Sequence, residues 1–176
     1  AGGYDACLKA FDTSLSLLGV DYVDLYLIHW PLPKLGKYIE AWKALEEIYR
    51  SGRARAIGVC NFDICWLQEI IDQCEIVPMV NQVEHHPYYQ QAKLHEFCVK
   101  QGIQLEAYSP LAQGKIFSDE SLKKMAEKYG KSVAQLVLRF EMQNGVVVIP
   151  KSIHQDRIVS NAQLFDFEIS DEDMEI

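Results

Sequence analysis

The chain is short of positive charge. Its 17 Lys and Arg stand against 25 Asp and Glu, for a net charge of −8 over 176 residues. Phosphate backbones are gripped by a basic stripe, and none runs through this sequence, which excludes a nucleic-acid surface as its function. An anionic small ligand would have to be met by a local group of cations. Long apolar runs are also missing: nothing approaches the roughly 18 residues of a membrane span, so no membrane partner is expected. The N-terminus lacks the basic and apolar regions of a signal peptide, and no Asn-x-Ser/Thr sequon occurs. Cysteine is sparse and unpatterned. The five thiols, at positions 7, 60, 65, 74 and 98, form no CxxC pair and no zinc-type spacing, and they read as reduced, inert packing residues of a cytoplasmic protein.

What is present is alternation of two periodicities. Leu8, Phe11, Leu15 and Leu18 recur at helical spacing before Gly19, and VDLYLIHW comes next as an apolar run of strand length. YIEAWKALEEIYR, Tyr38 to Arg50, puts Ile39, Trp42, Leu45, Ile48 and Tyr49 on one helical face, stops at Ser51-Gly52, and yields to the strand ARAIGVCNF. Asp63 is placed to cap a helix ICWLQEIIDQC that leads into VPMVNQV. Ala92 to Gln101 is helical with Gly102 as its stop and IQLEAYSP beyond; Ser132 caps VAQLVLRFEMQ, and GVVVIPKS comes after it.

Strands separated by helices pair in parallel through right-handed crossovers, which makes the chain α/β. A doubly wound nucleotide-binding sheet would show G-x-G-x-x-G after its first strand, and the motif is absent. A (β/α)8 TIM barrel instead gathers its chemistry at the carboxyl ends of several strands. Here the strand ends read His-Trp-Pro, Cys-Asn-Phe, Gln-Val-Glu-His-His-Pro, Tyr-Ser-Pro and Pro-Lys-Ser. The polar groups gather at the same end of successive strands.

In these strand ends the chain resembles the aldo-keto reductase family, (β/α)8 barrels that reduce aldehydes and ketones with NADPH. The blocks LGVDYVDLYLIHWP, GRARAIGVCNF, VNQVEHHP, AYSPLAQGK and VVVIPKSIHQDRIVSNAQLFDF stand in the family's order. The resemblance implies that His29 bonds the substrate's carbonyl oxygen and that Trp30 borders the substrate. It implies that Asn61 and Gln82 hold the nicotinamide carboxamide and that Tyr108 stacks on the nicotinamide face. Ser109 and Leu111 would meet the pyrophosphate, Lys151, Ser152 and Arg157 the adenosine 2′-phosphate, and Asn161 the adenine. Cys60 occupies a cofactor-binding position where the family most often has serine, and a thiol is the poorer donor. Ser160 stands where many relatives have Glu.

Physical chemistry is consistent with these roles. Hydride transfer needs a cofactor fixed by directional amides and one flat ring. An imidazole beside a carbonyl can donate to the oxygen as negative charge develops. A phosphate dianion calls for cations beside backbone donors, and PKSIHQDRIVSN offers both at the start of a helix, which favours NADPH over NADH.

The departures from the family pattern are equally informative. Proton donation in the family belongs to a Tyr assisted by a Lys and an Asp, all earlier in the chain than the histidine strand, and the 28 residues before His29 hold no counterpart. Tyr4 and Lys9 fall on or before the first helix, the outer layer of a barrel. The expectation is therefore a single, truncated barrel domain over residues 1–176, with about five parallel strands and their helices, equivalent to the C-terminal two thirds of a family member. Its function would be NADPH-dependent reduction of a small carbonyl substrate. The alternative is a non-catalytic cofactor-binding or regulatory barrel lacking the proton donor. Apolar edge strands at either end of such a partial barrel would invite association with other chains.

Other features have plainer readings. A histidine at a strand end more often bonds a backbone carbonyl than performs chemistry. His85 and His86 are adjacent on a strand, point to opposite faces, and so make no metal site. YGKS at Tyr129 to Ser132 imitates the end of a phosphate loop, but Ser132 serves better as a helix cap. Trp42 and Trp66 have the spacing of core residues. Asp171-Glu172-Asp173 reads as an acidic helix start.

Overall fold

Helices form where apolar periodicity meets a cap. A computed structural model describes residues 2–175, and its elements run α1 (Tyr4–Leu18), β1 (Val23–Ile28), α2 (Tyr38–Arg50), β2 (Ala54–Cys60), α3 (Ile64–Gln73), β3 (Val80–Glu84), α4 (Ala92–Gln101), β4 (Gln104–Tyr108), α5 (Glu120–Lys128), α6 (Val133–Gln143), β5 (Val147–Val148), α7 (Gln155–Ala162) and α8 (Asp171–Met174). The Asp63 carboxylate accepts from the Ile64 amide at the head of α3. Ser132 and Gln135 form a reciprocal capping box on α6, so YGKS is a helix start. Asp171 to Asp173 form the first turn of α8, behind the Ser170 cap.

The chain gathers into two compact units. One runs to Gln82 and adds Lys93–Gln104; the other joins Val83–Ala92 to the chain from Leu105 onward.

In the first unit β1 and β2 pair in parallel, from Val23 opposite Ala54 to Ile28 opposite Val59, and β2 pairs with β3, Gly58 opposite Val80 and Cys60 opposite Gln82. Helices α2 and α3 supply the crossovers, as a parallel ladder requires. Trp42, Leu45 and Ile48 of α2 meet Ile57, Leu67 and Ile70 in a fully buried core. The Trp42 indole satisfies its own polar atom by donating to the Ile76 carbonyl at 2.9 Å. Glu46, also buried, accepts from the Glu75 and Ile76 amides at 2.8 and 2.7 Å, which fixes the turn before β3. Trp66 departs from expectation: it is half-buried, edge-on to Phe62 at the rim of α3.

In the second unit β4 and β5 pair in parallel through Glu106 with Val147 and Ala107 with Val148. The strand expected across GVVVIPKS is only those two residues of β5. Pro150 has no amide hydrogen, and the ladder cannot pass it. A second core of Ile116, Leu122, Leu136, Val137, Phe140 and Ile169 sits beneath α5 and α6.

The thiols are free. Burial pushes the Cys98 thiol up to about 11 and raises those of Cys7 and Cys74, which keeps all three protonated and unreactive at neutral pH. Cys65 is exposed on α3, which corrects the expectation that every cysteine packs.

Gly58 shows how closely the first unit's strands approach. A Cβ there would lie 2.5 Å from the Val80 carbonyl oxygen and 2.8 Å from Leu27 Cδ2. Backbone cannot retreat without breaking the ladder. Gly58→Ala is therefore expected to cost about 1–3 kcal/mol of stability by urea denaturation; an unchanged midpoint would show that the strands have slack.

Candidate functional site

The strand exits of the first unit are joined through one asparagine. Asn61 leaves β2 in the left-handed region at φ 61°, a conformation its short polar side chain tolerates. Its amide N–H donates to the Gln82 carbonyl at 2.9 Å, while its side-chain amide donates to the His29 carbonyl at 3.2 Å. The exits of β1, β2 and β3 are thereby tied together. His29 directly follows β1 and is exposed, its ring 5.9 Å from that of Trp30, which is also exposed. Both border a cavity of about 330 Å³ with Leu32, Ala6 and Ala10. Gln82 is half-buried, and Cys60 lies in the core at 4% exposure.

A residue that sequence reasoning missed holds this arrangement from beneath. Asn81 is fully buried, donates to the Phe62 carbonyl at 2.9 Å and accepts from the Phe62 amide at 3.4 Å. The signal was a polar residue alternating with Val83 on the buried face of VNQVE. Asn81 satisfies the backbone immediately beyond Asn61 as a further strand residue would.

The second unit holds the larger cavity, about 590 Å³, a size that suits a small-molecule ligand. Six residues named from the sequence meet around it: Ser109, Leu111, Lys151, Ser152, Arg157 and Asn161. Tyr108, half-buried, ends β4 just before Ser109, which turns the chain at φ 50°. Gln113, Gly114, Phe117 and Ser160 line the cavity as well; of these only Ser160 had drawn attention in the sequence. Its hydroxyl donates to the Arg157 carbonyl at 3.2 Å within α7.

Charge is the distinguishing feature of this cavity. Lys151 and Arg157 are exposed, and among the described residues no carboxylate pairs with either. By contrast, Arg50, Arg53, Arg55, Lys100, Lys123, Lys128 and Lys131, seven of the chain's 17 cations, each find Asp or Glu within 2.9 Å. The cavity also receives the start of α7, whose cap residue His154 gives no side-chain bond. Ser152 accepts from the His154 amide at 3.1 Å and orders that turn. Two cations without carboxylate partners beside helix-start amides are the combination of groups that phosphates favour.

His85 and His86 have separate partners. His85 Nδ1 lies 2.5 Å from Glu141 Oε2 in a fully buried pair, and His86 Nε2 lies 3.3 Å from Glu84.

The family model described as Aldo/keto reductase family matches residues 2–176. The chain belongs to the aldo/keto reductase family. It is 54% identical over 173 residues to glyoxal reductase of Bacillus subtilis, which covers 98% of this chain and 62% of that protein. To methylglyoxal reductase DkgA of Escherichia coli it is 44% identical over 168 residues, covering 94% of this chain and 61% of that one. The crystal structure of a Gox0644 mutant in complex with NADPH superposes with a TM-score of 0.96 at 46% identity, covering 99% of this chain and 64% of that one. The chain thus spans about three fifths of the length of these curated relatives. The α/β fold is the one shared by aldo/keto reductases, with five parallel-type strands among the described residues.

Within this family framework Asn81 emerges as the support of the Asn61 turn. Asn81→Ala is expected to strand two buried backbone groups of Phe62 at a cost of about 1–3 kcal/mol. Chemical denaturation measures it, and a loss below a few tenths would show that Phe62 finds another partner.

Proposed function

We propose that the chain carries the cofactor-binding part of an NADPH-dependent reductase of small aldehydes and ketones, and that residues 1–176 represent part of a single barrel domain. The observation that carries this reading is the pair Lys151 and Arg157, two cations without carboxylate partners among the described residues, lining one cavity with Ser152 and Asn161. The volume, the cations and the amides at the start of α7 fit a 2′-phosphorylated adenosine. In this reading Lys151, Ser152 and Arg157 hold the phosphate, Asn161 the adenine, and Ser109 and Leu111 the pyrophosphate. Tyr108 presents its ring to the nicotinamide, and Asn61 and Gln82 fix the carboxamide. Cys60, buried behind Asn61, shapes that turn from the core side.

NADPH, when bound, would supply a hydride to the carbonyl carbon, and the proton that completes the alcohol would come from the Tyr that in the family precedes the histidine strand. His29 plays the complementary role, its imidazole N–H donating to the carbonyl oxygen in a bond that strengthens as charge gathers there. The bond from Asn61 to the His29 carbonyl restrains the backbone on which that imidazole is carried. Trp30 offers an apolar wall to a small substrate. The activities named for two relatives, glyoxal reductase and methylglyoxal reductase, suggest reactive dicarbonyl compounds as the first substrates to assay. Nucleic acid is not a partner in this reading, given the acidic balance, and no described helix is long and apolar enough to cross a membrane. We assign the protein to the cytoplasm on its free thiols. Association through the edge of β1 is part of the same proposal, since among the described residues β1 pairs with β2 alone.

Arg157→Ala tests the reading. It is expected to weaken NADPH binding roughly ten- to a hundredfold, as loss of a charge-assisted bond does, while leaving NADH binding nearly unchanged. Fluorescence titration with both cofactors measures it. Equal losses for the two would remove the 2′-phosphate from the account, and tight binding without turnover of methylglyoxal would favour a cofactor-binding protein over an enzyme.

A further inference from the structure

The wall of the larger cavity is made by a backbone that needs holding. Between residues 109 and 118 three non-glycine residues occupy the left-handed region, Ser109 at φ 50°, Ala112 at 47° and Gln113 at 54°, followed by Gly114 at 91°. Side chains rarely adopt that conformation, and a segment carrying three such residues keeps one shape only where its surroundings fix it. Two of its supports are local. Ala112 donates to the Ser109 carbonyl and Gly114 to the Leu111 carbonyl, at 2.9 and 2.8 Å, and Ala112 and Ile116 are buried in the second core.

The third support comes from elsewhere in the unit. Asp119 ends the segment and uses its two carboxylate oxygens for different purposes. Oδ1 accepts from the Ser121 and Leu122 amides and caps α5; Oδ2 accepts from the Tyr88 hydroxyl at 2.7 Å. Tyr88 lies on the loop after β3, edge-on to the His86 ring at 6.1 Å, and is about half exposed. It does not line the cavity. Its hydroxyl therefore ties the loop after β3 to the end of the cavity wall through a residue that already organises the following helix.

We propose that Tyr88 is a positioning residue: its bond to Asp119 holds the segment 109–118 in the shape that presents Leu111, Gln113 and Phe117 to the cofactor. The proposal rests on the reading of this cavity as the NADPH site. The depressed Asp119 carboxyl, held down first by the Tyr88 bond and then by the α5 amides, agrees with a carboxylate engaged on both oxygens. A wall fixed before binding spares the cofactor the ordering it would otherwise impose, and that advantage appears as slower release.

The test is Tyr88→Phe in the full chain, which removes the hydroxyl and leaves the ring and the Asp119 cap in place. Amide hydrogen exchange of the free protein is expected to accelerate in residues 111–118 and nowhere else, with the thermal midpoint unchanged. NADPH binding is expected to weaken about three- to tenfold, through faster dissociation. In an Asp119→Ala background the same change is expected to add nothing, because the link is already cut. Unaltered exchange in the wall segment, or additive losses in the double variant, would overturn the proposal. If the wild-type chain failed to bind NADPH, the cofactor reading would fall, while the exchange measurement would still decide whether Tyr88 holds the wall.

Discussion

Where a parallel strand ends, its last amide and carbonyl lose the neighbours that the ladder supplied, and the buried ones must be satisfied in some other way. In this chain side-chain amides do that work. The Asn61 side chain bonds backward to the His29 carbonyl, and Asn81 clamps both backbone groups of Phe62. Each is a bond between segments distant in sequence. Together they convert strand exits, which in an unrestrained chain would be mobile loops, into fixed platforms for His29 and its neighbours.

The same economy of polar groups gives the second unit its electrostatic character. Among the described residues seven of the 17 cations of this acidic chain are neutralised by a neighbouring carboxylate, and such exposed pairs contribute little stability. Lys151 and Arg157 are among those without such a partner, and both line one cavity near the start of α7, where the helix adds its own attraction for anions. Relatives of this fold have been solved in complex with NADPH.

Much of this was readable from residue order. The limits of α2, the Asp63 cap, the Ser132 capping box and the α4 stop at Gly102 depend on neighbours within a few residues, and local signals of that kind survive in a sequence. The six cavity residues were named by their place in family blocks, and the structure brings them to one cavity. What escaped was tertiary. Helix α5, with the charged sequence ESLKKMAEK, buries only Leu122 and Ala126 and shows little apolar face. The fifth strand shrank because Pro150 interrupts it, a local rule that the apolar run GVVVI obscured. Asn81 and the Tyr88 bond to Asp119 join residues 19 and 31 positions from their partners, and no short-range pattern announces such pairs.

The central claim is that the cavity of Lys151 and Arg157 recognises a 2′-phosphate. The most direct measurement leaves the chain unaltered and varies the ligand: calorimetric titration with 2′-phospho-ADP-ribose and with ADP-ribose, which share the adenosine and pyrophosphate and differ by the phosphate alone. The expected result is binding of the phosphorylated compound at least about tenfold tighter, with an advantage that shrinks as salt is raised and charge is screened. Equal affinities at low salt would contradict the account.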